Sequence, residues 1–126
     1  MKRDLSLIRE LLLSIEDTKE PPGSSALCAD KDDTEKSLAL EYLRLMEKAG
    51  LVSCIASTPI SGSWRCAELK LTWEGHDYLD AVRDPEVWKR TKDGAGAVGG
   101  LALGAVKDMA TAYAKHVVKE KLGLDL

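Results

Sequence analysis

LALEYLRLMEKAGLV (residues 38–52) and LKLTWEGHDYL (residues 69–79) decide the fold of this chain. The first stretch spaces apolar residues as an amphipathic helix does, stops at Gly50, and runs on into a strand. The second alternates Leu69 and Leu71 with the period of a strand, then turns through Glu74 and Gly75 into a helix bearing Tyr78, Leu79 and Val82. Between them, STPISGS (residues 57–63) is the loop of a hairpin whose return arm is residues 64–72. Helix, strand, strand, helix is the back half of a winged helix. The expected class is therefore α+β, a winged helix with a small β-hairpin wing and an added C-terminal amphipathic helix. Winged helices read DNA and dock proteins alike, so the order of elements names an architecture and leaves the function to its surface.

Upstream, Leu5, Ile8, Leu12 and Ile15 form one buried stripe of a first helix, with Leu11 beside them and Asp4 as its N-cap. Glu20-Pro21-Pro22-Gly23-Ser24-Ser25 cannot continue that helix. Residues 26–29 read as a short strand. Asp32 then caps the second helix, with Glu35 in capping-box position. In that helix Leu38, Tyr42, Leu45 and Ala49 form one stripe, widened by Leu40, Leu43 and Met46. Apolar residues cover more than half its circumference, which predicts contact on two sides. Downstream, Arg83-Asp84-Pro85 breaks the helix begun at Gly75, and Pro85 opens a further one that returns Val87 and Trp88 to the core.

The chain has 126 residues, 44% of them hydrophobic, enough for one compact domain whose core needs neither disulfides nor a metal. It shows no signal-peptide run and no apolar stretch of about 20 residues, so a cytoplasmic protein with no membrane contact is expected. Three cysteines, an odd count, agree with a reducing compartment. The net charge is −3; residues 16–35 hold seven acids against two lysines, so this segment carries −5 and the rest about +2. That balance is unlike a dedicated nucleic-acid binder.

The winged-helix domain is expected over residues 1–93. Residues 94–100, Gly94-Ala95-Gly96-Ala97-Val98-Gly99-Gly100, read as a flexible linker. Residues 101–126 read as an amphipathic helical tail with Leu101, Leu103, Val106, Met109, Ala110, Tyr113, Val117 and Val118 on its apolar face. A lone amphipathic helix must fold back on its domain, pair with another copy, or lie on another surface. Self-association or self-docking is the expectation, since the polar face is only weakly basic.

Met1-Lys2-Arg3-Asp4 with Leu7-Ile8-Arg9, the turn Glu47-Lys48-Ala49-Gly50-Leu51, and above all Leu71-Thr72-Trp73-Glu74-Gly75-His76-Asp77-Tyr78-Leu79-Asp80-Ala81 with Arg83-Asp84 and Trp88 resemble a bacterial and phage family. That family is known as domain of unknown function 2513. The resemblance covers about residues 1–92 and continues loosely into Lys121-Leu122-Gly123-Leu124. It implies a small winged-helix protein, often encoded in phages or prophages, with no established activity. At Cys28-Ala29-Asp30-Lys31 the chain departs from the family, which tends to have a more regular strand there.

If the second helix were a DNA reader, Leu40, Glu41, Arg44 and Lys48 would face the duplex. Arg44 and Lys48 suit that role, whereas a carboxylate at Glu41 is repelled by phosphates. The wing adds only Arg65 and Lys70. The plainer account of Arg44 and Lys48 is pairing with Glu41 and Glu47 along the helix. No clear helix precedes the reader to position it on phosphates. Trp73 and Trp88 read as core anchors. Trp64, at the hairpin tip beside Arg65, is the best contact residue, because tryptophan and arginine concentrate at binding hot spots, although it equally well folds onto the sheet.

Catalysis has little support. His76 lies near a helix start, where proton affinity falls, and Asp77 beside it in sequence faces elsewhere. An enzyme would need a pocket near His76 with a second titratable group. Cys28, Cys54, Cys66 and His76 make a zinc set on paper only, without a Cys-x-x-Cys knuckle. Gly94 to Gly104 lacks the strand and lysine of a phosphate loop. No cofactor, metal or small-molecule substrate is expected. The expected function is non-enzymatic binding: a protein-interaction or regulatory module using Glu41, Arg44, Lys48, Trp64, Arg65 and Lys70, or alternatively a regulator bound to double-stranded DNA.

Overall fold

The computed structural model describes residues 4–58, 60, 62, 64–97 and 103–123. Among these are six helices and one two-stranded antiparallel ribbon: α1 (Leu5–Glu16), α2 (Ser24–Leu27), α3 (Asp33–Lys48), β1 (Val52–Ser57), β2 (Arg65–Leu71), α4 (Trp73–Val82), α5 (Pro85–Ala97) and α6 (Leu103–Leu122). The architecture is α+β. The chain divides into two compact units, one over Asp4–His76 and the other from Asp77 onward.

In the first unit α1 packs on α3 and β2, α2 on β2, and α3 on β1. Its core comprises Ile8, Leu11, Leu12 and Ile15 of α1, Ala39, Leu43 and Met46 of α3, and Leu51, Val52, Cys66 and Leu69. The Asp4 carboxylate accepts from the Leu7 N–H at 3.1 Å, and the Asp4 N–H donates to the Tyr42 hydroxyl at 2.6 Å, so the start of α1 is tied to α3. Asp32 caps α3, accepting from the Glu35 N–H at 2.8 Å. That bond holds the Asp32 carboxyl below its usual range. Gly50, at φ +82°, ends α3: its N–H reaches the Glu47 carbonyl and the Leu51 N–H the Met46 carbonyl, the paired bonds of a Schellman stop.

Two expectations are corrected here. Residues 26–29 are not a strand; Ser24–Leu27 is one turn of helix. β2 nonetheless takes bonds from this segment, since the Leu69 N–H donates to the Pro22 carbonyl at 2.9 Å and the Cys66 N–H to the Ser24 hydroxyl at 3.2 Å. A proline carbonyl and a serine side chain cover that edge without a ladder. Second, the buried stripe of α3 is Ala39, Leu43 and Met46, whereas Leu38 and Leu45 are 43% and 46% exposed.

The ribbon pairs Val52 with Leu71, Ser53 with Lys70, Ile55 with Ala67, Ala56 with Cys66 and Ser57 with Arg65, and its register shifts between Ser53 and Ile55. The extra residue lies on β2, where Glu68 adopts φ +54°, a left-handed conformation unusual outside glycine. A β-bulge of this kind re-aims side chains. Arg65, Ala67 and Lys70 come to share one face, while Cys66 and Leu69 both turn to the core.

Thr72 and Gly75 join β2 to α4. The Thr72 N–H donates to the Leu51 carbonyl at 3.1 Å, its hydroxyl donates to the Gly50 carbonyl, and the same oxygen accepts from the Gly75 N–H at 3.0 Å. A Cβ at Gly75 would overlap the Leu51 carbonyl. The start of α4 is thus pressed onto the end of α3.

In the second unit Pro85 occupies the first turn of α5, and Asp84 caps it with bonds from the Glu86 and Val87 N–H groups at 2.9 and 3.0 Å. The expected linker is corrected as well, because α5 continues through Gly94, Ala95, Gly96 and Ala97; residues 98–100 lie outside the described residues. α6 packs on α5. A Cβ on Gly94 would come within 2.8 Å of the Met109 sulfur and 3.1 Å of the Tyr113 hydroxyl, so the glycine allows close approach. Val106, Ala110 and Val117 of α6 are buried. The tail helix therefore covers part of its apolar face within its own chain, while Val118 and Leu122 stay exposed.

Candidate binding surface

α3 presents a broad outward side. Ser37, Leu38, Glu41, Arg44, Leu45 and Lys48 are all exposed along it. Among the described residues Glu41, Arg44 and Lys48 enter no ion pair, so the intrahelical pairing with Glu41 and Glu47 is not made. The exposed charges are free to meet a partner.

Of the wing residues, Lys70 pairs with Ser53 near the foot of the ribbon, beside the end of α3. Arg65 pairs with Ser57 at the far end, four β1 residues or about 13 Å further along. The bulge puts both cations on the ribbon face that also carries Ile55, which is 63% exposed. Trp64 is partly buried rather than free at the tip. Lys70 therefore lies at the foot of the ribbon, near the end of α1, and Trp64 and Arg65 stand at its far end.

Trp73, expected in the core, is 80% exposed at the first position of α4, next to the Thr72 joint with the end of α3. Trp88 is buried as expected. Leu38, Leu45 and Trp73 are the surface residues that sequence reasoning missed. A signal for the leucines existed in the breadth of the apolar surface of α3: α1 and β1 pack on it and still leave part of that surface uncovered.

His76 is exposed and lines a depression of about 330 Å³ with Glu16, Lys19, Glu20, Lys70 and the apolar Ile15, Leu69 and Leu71. Titratable neighbours are thus present around it. Among the described residues its ring makes no hydrogen bond that would orient it as an acid or base. Cys54 and Cys66 are free thiols, Cys66 buried and Cys54 half-buried. Burial, with the neighbouring Cys54 adding to it, pushes the Cys66 thiol up to about 12. Such thiols are protonated at neutral pH and behave as small apolar groups. Among the described residues no group of three histidine, cysteine or acidic side chains is placed to hold a metal ion, and no helix is long and apolar enough to cross a membrane.

The profile of the family described as Hypothetical protein (DUF2513) matches residues 2–102. An uncharacterized protein of Haemophilus influenzae is 35% identical over 112 residues, covering 87% of this chain and 92% of its own length. No solved structure matches.

Proposed function

We propose that this chain, which belongs to the DUF2513 family, is a non-enzymatic winged-helix binding module of phage or prophage type, acting in the cytoplasm on a protein partner. The observation that carries the reading is the exposure of Leu38 and Leu45, at 43% and 46%, two helical turns apart on the outward side of α3. Leucines so placed among Glu41, Arg44 and Lys48 make an apolar strip with a charged border, the composition of a protein contact. The succession α1, α2, α3, β1, β2 supports the winged-helix assignment, with α3 in the place of the reading helix. α2 is a single turn, too short to grip phosphates as the partner helix of a DNA reader does.

Pull-down of the tagged chain from bacterial lysate, with and without nuclease, tests this. The expected result is a captured protein that survives nuclease and is lost on Leu45→Glu or Trp73→Ala. Capture abolished by nuclease would overturn it in favour of DNA binding. That second reading draws on Arg44 and Lys48, exposed and unpaired among the described residues, and on Arg65 and Lys70, which the bulge sets on one face.

A further inference from the structure

The outward side of α3 is ordered in charge as well as in polarity. Along it the acids Asp33, at the first position, and Glu41, midway, precede the bases Arg44 and Lys48, with Leu38 and Leu45 alongside. A helix face acidic at one end and basic at the other repels a parallel copy of itself and attracts an inverted one. Inversion about a two-fold axis is the operation that relates the subunits of most symmetric dimers.

We propose that α3 of a second copy of this chain is the occupant of this face, packed antiparallel across a two-fold axis passing near Tyr42. This rests on the reading of α3 as a protein-contact surface and names the partner. Leu38 and Leu45 lie seven residues apart, about 10 Å along the helix. An axis midway between them sets Leu38 of one copy against Leu45 of the other, twice; Glu41 then lies beside the axis next to its own copy, with the opposite Arg44 about 3 Å further along the helix, also twice. Both leucines lose their exposure together, and two acid–base pairs form at the border of the strip. On α6, Val106, Ala110 and Val117 are already buried, and the exposed Val118 and Leu122 lack the paired acids and bases that flank the leucines of α3.

The test is sedimentation velocity of the full chain from about 5 to 500 μM, a range that spans weak to moderate association. A monomer–dimer equilibrium is expected. Leu45→Glu should weaken it at least tenfold, and Glu41→Arg should weaken it by placing that cation against Arg44 and Lys48. The double variant Glu41→Arg with Arg44→Glu should recover most of the affinity, a rescue that a merely structural role for these residues would not produce. All three positions, Glu41, Arg44 and Leu45, are exposed, and circular dichroism matching the native spectrum keeps each variant readable. A monomer at every concentration, or a dimer indifferent to Leu45→Glu, overturns the proposal. A monomer that still captures a lysate protein through Leu45 overturns the self-pairing alone and leaves the protein-binding reading standing.

Discussion

At the scale of single residues, the segment Thr72-Trp73-Glu74-Gly75 is first a joint. Thr72 bridges Gly50 and Gly75, and Gly75 lies against the Leu51 carbonyl where no side chain fits. Gly75→Ala should therefore cost about 3 kcal/mol or more, because a backbone carbonyl cannot yield as a side chain does. Gly50→Ala meets open space but needs φ +82°, and should cost only roughly 1–2 kcal/mol. Urea melts of the two variants check the ranking; equal losses would mean that the joint is not tight. The Cys66 thiol gives a pH signature. Its folded value, about 12, lies above the 9.0 usual for a thiol, so the folded state holds this proton more tightly. The stability it supplies is whole below pH 9 and drains away as pH rises toward 12. Melts between pH 8 and 11 should show a decline that Cys66→Ala makes shallower.

At the scale of elements, what could be read from sequence was whatever local chemistry specifies. Asp4 and Asp32 do cap α1 and α3, Gly50 does stop α3, Pro85 does open α5, and the ribbon lies between Leu51 and Thr72. What escaped depends on partners distant in sequence. Apolar residues surround α3 so widely that periodicity alone could not choose Ala39, Leu43 and Met46 over Leu38 and Leu45 as the buried stripe. Nor does any local rule place a bulge at Glu68, without which Arg65 and Lys70 would face opposite ways. Gly94 to Ala97 looked like a linker because glycine is a poor helix former, yet packing against α6 outweighs a propensity of about 1 kcal/mol. The consequence is testable. Gly94→Ala meets only the ends of the flexible Met109 and Tyr113 side chains and should be tolerated, whereas Gly94→Leu should push α6 off α5. Limited proteolysis with mass analysis should then find new cleavage within residues 103–122 for the leucine variant alone.

At the scale of the whole molecule, charge decides between partners. The net charge is −3, with −5 concentrated in residues 16–35, the segment that leads from the end of α1 into the start of α3. A duplex approaching α3 would thus meet Asp32, Asp33 and Glu35 at one end of the helix and Glu41 midway, against Arg44 and Lys48 at the other. Each phosphate contact needs a cation, and every acid nearby subtracts from the counterion release that drives binding. A self-complementary or protein contact, by contrast, uses both signs and loses only its charged border to salt, since the leucines remain. Two measurements at several sodium chloride concentrations separate these cases. Fluorescence anisotropy of a labelled random duplex of about 20 base pairs should show no saturable binding at micromolar chain near 0.15 M salt, well below the affinities of specific DNA readers. Self-association followed by sedimentation should weaken only a few-fold between about 0.05 and 0.5 M salt, because pairs at the rim of an interface contribute little each. Tight duplex binding with a steep salt slope, lost on Arg44→Ala and retained on Leu45→Glu, would reverse the assignment and make α3 a reading helix after all.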